Sequence, residues 1–111
     1  MKRLLTCAMT FEPQRTVAYL HGELDCYTAE CVVTRLAPFV TSGHDLVVNL
    51  SGLSFLGITG LALLDRLSRC ADCNGGSLRL EDPSTAVQRL LGLAVCQDRF
   101  MIQIGRALPA A

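Results

Sequence analysis

The chain has 111 residues, balances 10 basic against 10 acidic side chains, and is 50% hydrophobic. That length predicts one domain, residues 1–111, which buries a single core without disulfide or metal support. The apolar content argues against a disordered chain, and the zero net charge argues against a nucleic-acid-binding protein that neutralises phosphates.

The amino-terminal residues do not resemble an export signal. Lys2 and Arg3 precede an apolar stretch that breaks at Thr6, and no run approaches the roughly eighteen apolar residues of a transmembrane helix. We therefore expect no membrane span and a cytoplasmic location. In a reducing cytosol, the six cysteines should be mostly free thiols that fill the core.

The first part of the chain predicts a β-hairpin followed by a helix. Residues 4–11 and 16–21 are β-rich, and a short polar turn separates them. From Ala29, apolar residues recur at helical spacing. Thr28 is the expected N-cap of this helix, and Pro38 with Ser42 and Gly43 is expected to close it.

The remaining chain alternates between strands and helices. Residues 46–50 are nearly all apolar, as in a strand covered on both faces, and residues 51–57 are interpreted as a loop. A helix is predicted over 58–73, stopped by Asn74, Gly75 and Gly76. A strand over 77–81, a third helix opened at 82–84, a strand over 99–104 and a loose tail over about 105–111 follow. The third helix is expected to bury one face, formed by Val87, Leu90, Leu91 and Ala94.

The order β-β-α-β-α-β-α-β predicts an α/β fold, with helices packed on a mixed sheet. No internal repeat or linker interrupts it.

A helical wheel divides the helix over 58–73 into two faces. Ile58 and Leu61 project to the solvent side and form a small apolar patch beside Asp65, unless the preceding loop folds over them. Asp65 and Arg69 have the spacing of a surface ion pair. The expected core face is Leu63, Leu64, Leu67, Cys70 and Ala71, and the expected solvent face is Asp65, Ser68, Arg69 and Asp72.

The cysteines suggest redox chemistry only weakly. Cys70 and Cys73 have CxxC spacing but fall in the last turn of a helix, where the dipole disfavours a thiolate. Cys26 and Cys31 flank the start of the first helix, and a disulfide within bonding reach there would provide an oxidative switch. Ligand spacing for a metal site is missing, so we expect neither metal nor cofactor.

Four segments together resemble the STAS domain of bacterial anti-sigma factor antagonists. They are GELD at 22–25 followed by Thr28 and Ala29, LVVNLSGL at 46–53, GGSLRL at 75–80, and the spaced residues Pro83, Ser84, Val87, Leu90, Leu91 and Leu93. The resemblance implies a STAS fold and a non-enzymatic protein. It further implies binding to an anti-sigma factor of the ATPase/kinase type, which frees a sigma factor for transcription.

The resembled family carries a phosphorylated serine at the start of its second helix, in an Asp-Ser-Ser-Gly or Asp-Ser-Thr-Gly junction. Here the junction reads Gly57, Ile58, Thr59 and Gly60. Isoleucine cannot accept a phosphate, so we expect the switch to be lost, with Thr59 as the alternative phosphoacceptor. The expected partner-binding residues are Asp25, Thr28, Ile58, Thr59, Gly60, Leu61 and Asp65.

Two alternatives stay open. In the first, the chain serves as a scaffold subunit in a larger signalling assembly. In the second, it is a redox-gated member of the family that uses its cysteines. A thiol oxidoreductase is the alternative from the class of enzymes.

Overall fold

The computed structural model describes residues 5–85 and 87–89, together with the backbone of 102–103. Its elements are strands β1 (Leu5–Phe11) and β2 (Thr16–Leu24), helix α1 (Ala29–Thr41), strand β3 (Asp45–Leu56), helix α2 (Ile58–Cys73), and strands β4 (Ser77–Glu81) and β5 (Ile102–Gln103). Residues 85 and 87–89 are also helical. The predicted face residues Leu90, Leu91 and Ala94, most of the predicted last strand and the predicted tail lie outside the described residues.

The strands form one mixed sheet in the order β1-β2-β3-β4-β5. The β1–β2 pair is antiparallel, and the other neighbouring pairs are parallel. Parallel neighbours joined through helices require crossover connections, which are nearly always right-handed. Because each crossover moves one strand further along the sheet, α1 and α2 are expected on the same face. The predicted α/β class with a mixed sheet is confirmed.

The strand predicted over 46–50 is fully buried, as expected, but β3 is longer than predicted. The prediction of a loop over 51–57 is wrong for 51–56. β2 also continues past His21 to Leu24, and the two extensions pair until Leu24 lies opposite Leu56. The pairing of β2 with β3 contains two register irregularities. They break the alternation of apolar and polar residues that would mark a strand in the sequence, although both strands continue.

Helix α1 begins at Ala29 as predicted, but Pro38 lies inside it and the helix ends at Thr41. The prediction that Pro38 helps to close the helix is therefore wrong, because the helix continues for three residues beyond it. Pro38 is in the last turn, where its missing N–H removes one hydrogen bond and the chain is about to leave the helix.

Helix α2 has the predicted bounds, and its C-terminal stop is confirmed. Gly75 adopts a φ of +84°, the left-handed conformation that ends many helices. Gly76 N–H donates to the Ala71 carbonyl at 2.9 Å, which satisfies one of the terminal carbonyls of the helix.

The core lies between the two helices and the sheet. Val32, Leu36 and Val40 of α1 and Leu64 of α2 are at most 1% exposed. From the sheet, the same cluster contains Ala18, Leu20, Leu24, Leu46, Val48, Leu50, Leu53, Leu56, Leu78 and Leu80. This packing fixes the start of α2 beside the ends of β2 and β3.

Candidate partner-binding surface

The junction between β3 and α2 is held against the end of β2. Gly57 is the N-cap of α2, in extended conformation, and it makes no side-chain cap. Its N–H donates to the Leu24 carbonyl at 2.9 Å, and its own carbonyl accepts from Leu61 N–H at 3.0 Å. The first turn of α2 is therefore anchored to two strands.

The Asp25–Thr28 turn lies next to this junction and is closed by hydrogen bonds. Asp25 Oδ1 accepts from the backbone N–H of Tyr27 at 2.9 Å and of Thr28 at 3.2 Å. The Thr28 hydroxyl accepts from Asp25 N–H at 3.0 Å and donates to the Glu23 carbonyl at 2.7 Å. These bonds fix the conformation of the turn, and the Tyr27 side chain is 79% exposed to solvent.

Thr28 occupies the N-cap position that the sequence predicts, but its hydroxyl does not cap α1. The prediction that Thr28 provides the cap is wrong in mechanism. The Asp25 carboxylate closes the turn before the helix by accepting from Tyr27 and Thr28 N–H, and the Asp25 carbonyl accepts from Ala29 N–H at 3.0 Å. The Thr28 hydroxyl is turned back to the end of β2 instead.

Three large apolar side chains are exposed on the segments that meet at Gly57. They are Tyr27, Phe55 and Ile58, of which Phe55 is 46% and Ile58 70% exposed. A Cβ placed on Gly57 would lie 3.2 Å from the Phe55 ring and 3.8 Å from Asp25 Cβ, so the three segments meet here. We call Tyr27, Phe55, Ile58 and the neighbouring Thr59 the junction surface.

Among the predicted binding residues, three reach solvent. Ile58 and Thr59 are exposed, and Asp65 is half-buried. Asp65 accepts from Arg69 Nε at 3.0 Å, which confirms the predicted ion pair. Ile58 is therefore not covered by the preceding segment.

The other four predicted binding residues, Asp25, Thr28, Gly60 and Leu61, are buried. The placement of Leu61 in a solvent-facing patch is wrong, because its side chain is 7% exposed and belongs to the core. Gly60 is also enclosed, since a Cβ there would lie 2.7 Å from Leu24 Cγ and 2.9 Å from the Leu24 carbonyl oxygen. These buried residues support the exposed side chains of the junction surface and do not themselves reach solvent.

The buried arc of α2 is wider than the helical wheel predicts. Ser68, predicted at the solvent face, is 3% exposed, whereas Cys70, predicted in the core, is exposed. The reason is that α2 packs against α1 and β4 as well as β3, so more than one side of the helix is covered. The wheel assumes a single apolar face.

Tyr27 and Phe55 are the candidate contact residues that sequence reasoning missed. Phe55 was hidden by the interpretation of 51–57 as a loop, although buried Leu53 and Leu56 flank it in β3. Tyr27 carries no periodic signal, because it lies in a turn. Only the packing of the turn against the junction brings it to this surface.

The cysteines depart from the expectation that they fill the core. Cys7 is buried, but Cys26, Cys31, Cys70 and Cys73 are exposed. Burial raises the pKa of the Cys7 thiol above its ordinary value. Cys96 lies outside the described residues. Within the described ranges, no group of three or more His, Cys, Asp or Glu side chains is arranged to hold a metal ion.

Comparison with known proteins identifies the family. The model of the STAS domain matches residues 7–110. This chain belongs to the STAS domain family. The element order described above is thus that of a STAS domain.

Relatives of this STAS domain are named for one role. It is 32% identical over 77 residues to the anti-sigma-B factor antagonist of Bacillus subtilis, covering 69% of this chain and 71% of that protein. It is also 32% identical over 78 residues to the anti-sigma-F factor antagonist RsfA of Mycobacterium tuberculosis, covering 68% of this chain and 61% of the relative.

Solved structures share its fold. An anti-sigma factor antagonist from Mycobacterium paratuberculosis superposes with a TM-score of 0.83 at 22% identity, covering 93% of this chain and 88% of that one. The anti-sigma factor antagonist SpoIIAA in its unphosphorylated form gives a TM-score of 0.72 at 20% identity, covering 87% of each chain. Among the helices of the described region, none is long and apolar enough to cross a bilayer.

Proposed function

We propose that this STAS domain is a non-enzymatic anti-sigma factor antagonist that works without a serine phospho-switch. It binds an anti-sigma factor of the ATPase/kinase type through the junction surface and so frees a sigma factor for transcription in the cytoplasm. The observation that carries this proposal is Ile58, which is 70% exposed at the first residue of α2. That is the position at which the resembled family carries its phosphorylated serine.

The chemistry of the junction surface supports protein recognition. Tyr27, Phe55 and Ile58 are exposed apolar side chains on three adjoining segments. Aromatic side chains that become buried in a contact supply much of the binding free energy of protein interfaces, and apolar area removed from water contributes about 25 cal/mol per Å². Anchoring by Gly57 and by the Asp25 turn holds these side chains on a rigid support, so little ordering cost is added on binding.

The absence of a serine phospho-switch follows from the isoleucine at position 58. A phosphate adds close to two negative charges, which would disrupt an apolar contact by desolvation and repulsion. Ile58 has no hydroxyl and keeps the position permanently apolar. Thr59 is exposed beside it and is the hydroxyl-bearing residue of the Gly57–Gly60 segment.

The test combines binding and phosphate transfer. We mix the chain with kinase-type anti-sigma factors and ATP, and measure the dissociation constant and the phosphate incorporated. Binding without incorporation is expected, with Ile58→Asp weakening binding about tenfold or more. Phe11→Asp is the matched control, because Phe11 is 67% exposed at the opposite end of β2, across from Thr16.

Two results would contradict the proposal. Equal loss of binding in Ile58→Asp and Phe11→Asp would place the contact elsewhere. Phosphate incorporation that Thr59→Ala abolishes would restore the switch and move the acceptor to Thr59. Circular dichroism of each variant establishes that the fold is retained.

A further inference from the structure

An open cavity of about 550 Å³ lies between the edge strand β1 and the first turns of α1. It is at the end of β1 where Leu5 pairs with Gly22 of β2, and the turn that carries Tyr27 leads into the helix that lines it. The residues that line it include Leu5, Cys7, Glu30, Cys31, Thr34 and Arg35. Two thiols from different elements therefore border one solvent-accessible space.

The two thiols differ in exposure. Cys7 is 9% exposed and its Sγ lies 3.8 Å from Met9 Sδ, whereas Cys31 is exposed in the first turn of α1. A peroxide molecule in the cavity would therefore meet Cys31 first. Cys7 is shielded from solvent but borders the same cavity.

The thiols and a cation also act on one another electrostatically. Burial raises the pKa of Cys7, the charge of Arg35 opposes that rise, and the charge of Cys31 adds to it. Arg35 is one helical turn after Cys31, on the same side of α1. A thiolate formed at this cavity thus has a guanidinium nearby.

We infer that Cys31 and Cys7 form an oxidation site, in which a hydroperoxide converts the two thiols to a disulfide that joins α1 to β1. Cys31 is the attacking thiol and Cys7 is the resolving thiol. The sequence suggested Cys26 as the partner of Cys31, but Cys26 is not among the residues that line this cavity. This inference does not rest on the proposed function, because it requires only the two thiols and an oxidant.

The reaction balances with hydrogen peroxide as the oxidant. The Cys31 thiolate attacks one peroxide oxygen, the O–O bond breaks, and hydroxide leaves and is protonated to water, which gives a sulfenic acid. The Cys7 sulfur then attacks the Cys31 sulfur, the S–O bond breaks, and the hydroxyl leaves as water with the Cys7 proton. The two thiols lose two electrons and two protons, and the peroxide is reduced to two waters.

The test uses the full chain, reduced and then treated with dilute hydrogen peroxide. Peptide mapping under non-reducing conditions is expected to find a peptide pair linked through Cys7 and Cys31. Cys73→Ser is the matched control, because it removes an exposed thiol from the end of α2 and should leave that linkage unchanged. Cys31 linked to Cys26, or Cys31 over-oxidised while Cys7 stays reduced, would overturn the inference.

A second pair of variants separates the two roles. In Cys7→Ala, the sulfenic acid on Cys31 should persist and be trapped by dimedone. In Cys31→Ser, which changes an exposed side chain and should preserve the fold, Cys7 should stay reduced. Oxidation of Cys7 in Cys31→Ser at the rate seen in the unchanged protein would show that Cys31 is not the attacking thiol.

Discussion

Asp25 and Thr28 hydrogen-bond to each other in both directions across the turn that precedes α1. The Asp25 carboxylate accepts from the Thr28 backbone N–H at 3.2 Å, and the Thr28 hydroxyl accepts from the Asp25 N–H at 3.0 Å. The turn is thereby closed in both directions, and its outward residue, Tyr27, is held at the junction surface. Both residues are buried, so they support the surface and do not form it.

Replacing the Asp25 carboxylate should destabilise the domain. Asp25→Ala is expected to lower the free energy of unfolding by about 1–2 kcal/mol, because two backbone N–H groups lose their acceptor. Asp25→Asn keeps an acceptor oxygen in place and should cost clearly less. Urea denaturation of the two variants checks this; equal losses would mean that the side-chain oxygen does not hold the turn.

Ile58 and Leu61 offer a test of which side chain of the first turn of α2 is in the core. Leu61→Ala should lower the free energy of unfolding by about 2–3 kcal/mol, because a core side chain is truncated. Ile58→Ala should change it by no more than about 0.5 kcal/mol, because Ile58 is already in solvent. Thermal and urea unfolding measure both; a large loss in Ile58→Ala would contradict the exposed position.

Gly60 should not tolerate a side chain, although alanine favours helices. Helix propensity alone predicts that Gly60→Ala gains about 1 kcal/mol. A Cβ there would meet Leu24 and, at 3.0 Å, Leu56 Cδ1, so we expect a net loss of about 1–3 kcal/mol. Thr59→Ala is the control on the exposed side of the same turn and should be near neutral. If Gly60→Ala is more stable than the unchanged protein, the Leu24 backbone moves to accommodate the added Cβ and the prediction is wrong.

The free energy of unfolding should fall at alkaline pH because the Cys7 thiol, which is buried in the folded state, ionises. The folded state raises the pKa of this thiol above 9.0, so the unfolded chain loses the proton first. The contribution is fully present below about pH 8 and declines as the pH rises through the folded pKa, by at most about 1.4 kcal/mol per pH unit. Urea unfolding of the reduced protein from about pH 8 to about pH 10 measures the slope.

The matched variants for that titration are Cys7→Ala and Cys73→Ala. Cys7→Ala should flatten the alkaline slope, whereas Cys73→Ala should keep it, since Cys73 is exposed. Identical slopes in all three proteins would assign the alkaline loss to other groups.

The local pattern of the sequence determined a substantial part of this protein. The bounds of α2 and its stop at Asn74 to Gly76 follow from helical periodicity and glycine conformation, which are properties of consecutive residues. The buried strand over 46–50 and the isoleucine in place of a phosphoacceptor at 58 could also be predicted, because both depend only on which residue occupies a position. The fold class followed because the elements alternate.

Tertiary structure alone decided which side chains reach solvent. Leu61 and Ser68 are buried because α2 is covered by α1 and the sheet together, whereas Cys70 lies outside the covered arc. No local pattern records how many neighbours a helix has. Cys7 and Cys31 border one cavity because the β1–β2 hairpin returns the chain to α1. Burial and proximity depend on what packs across the chain, so they appear only when distant segments meet.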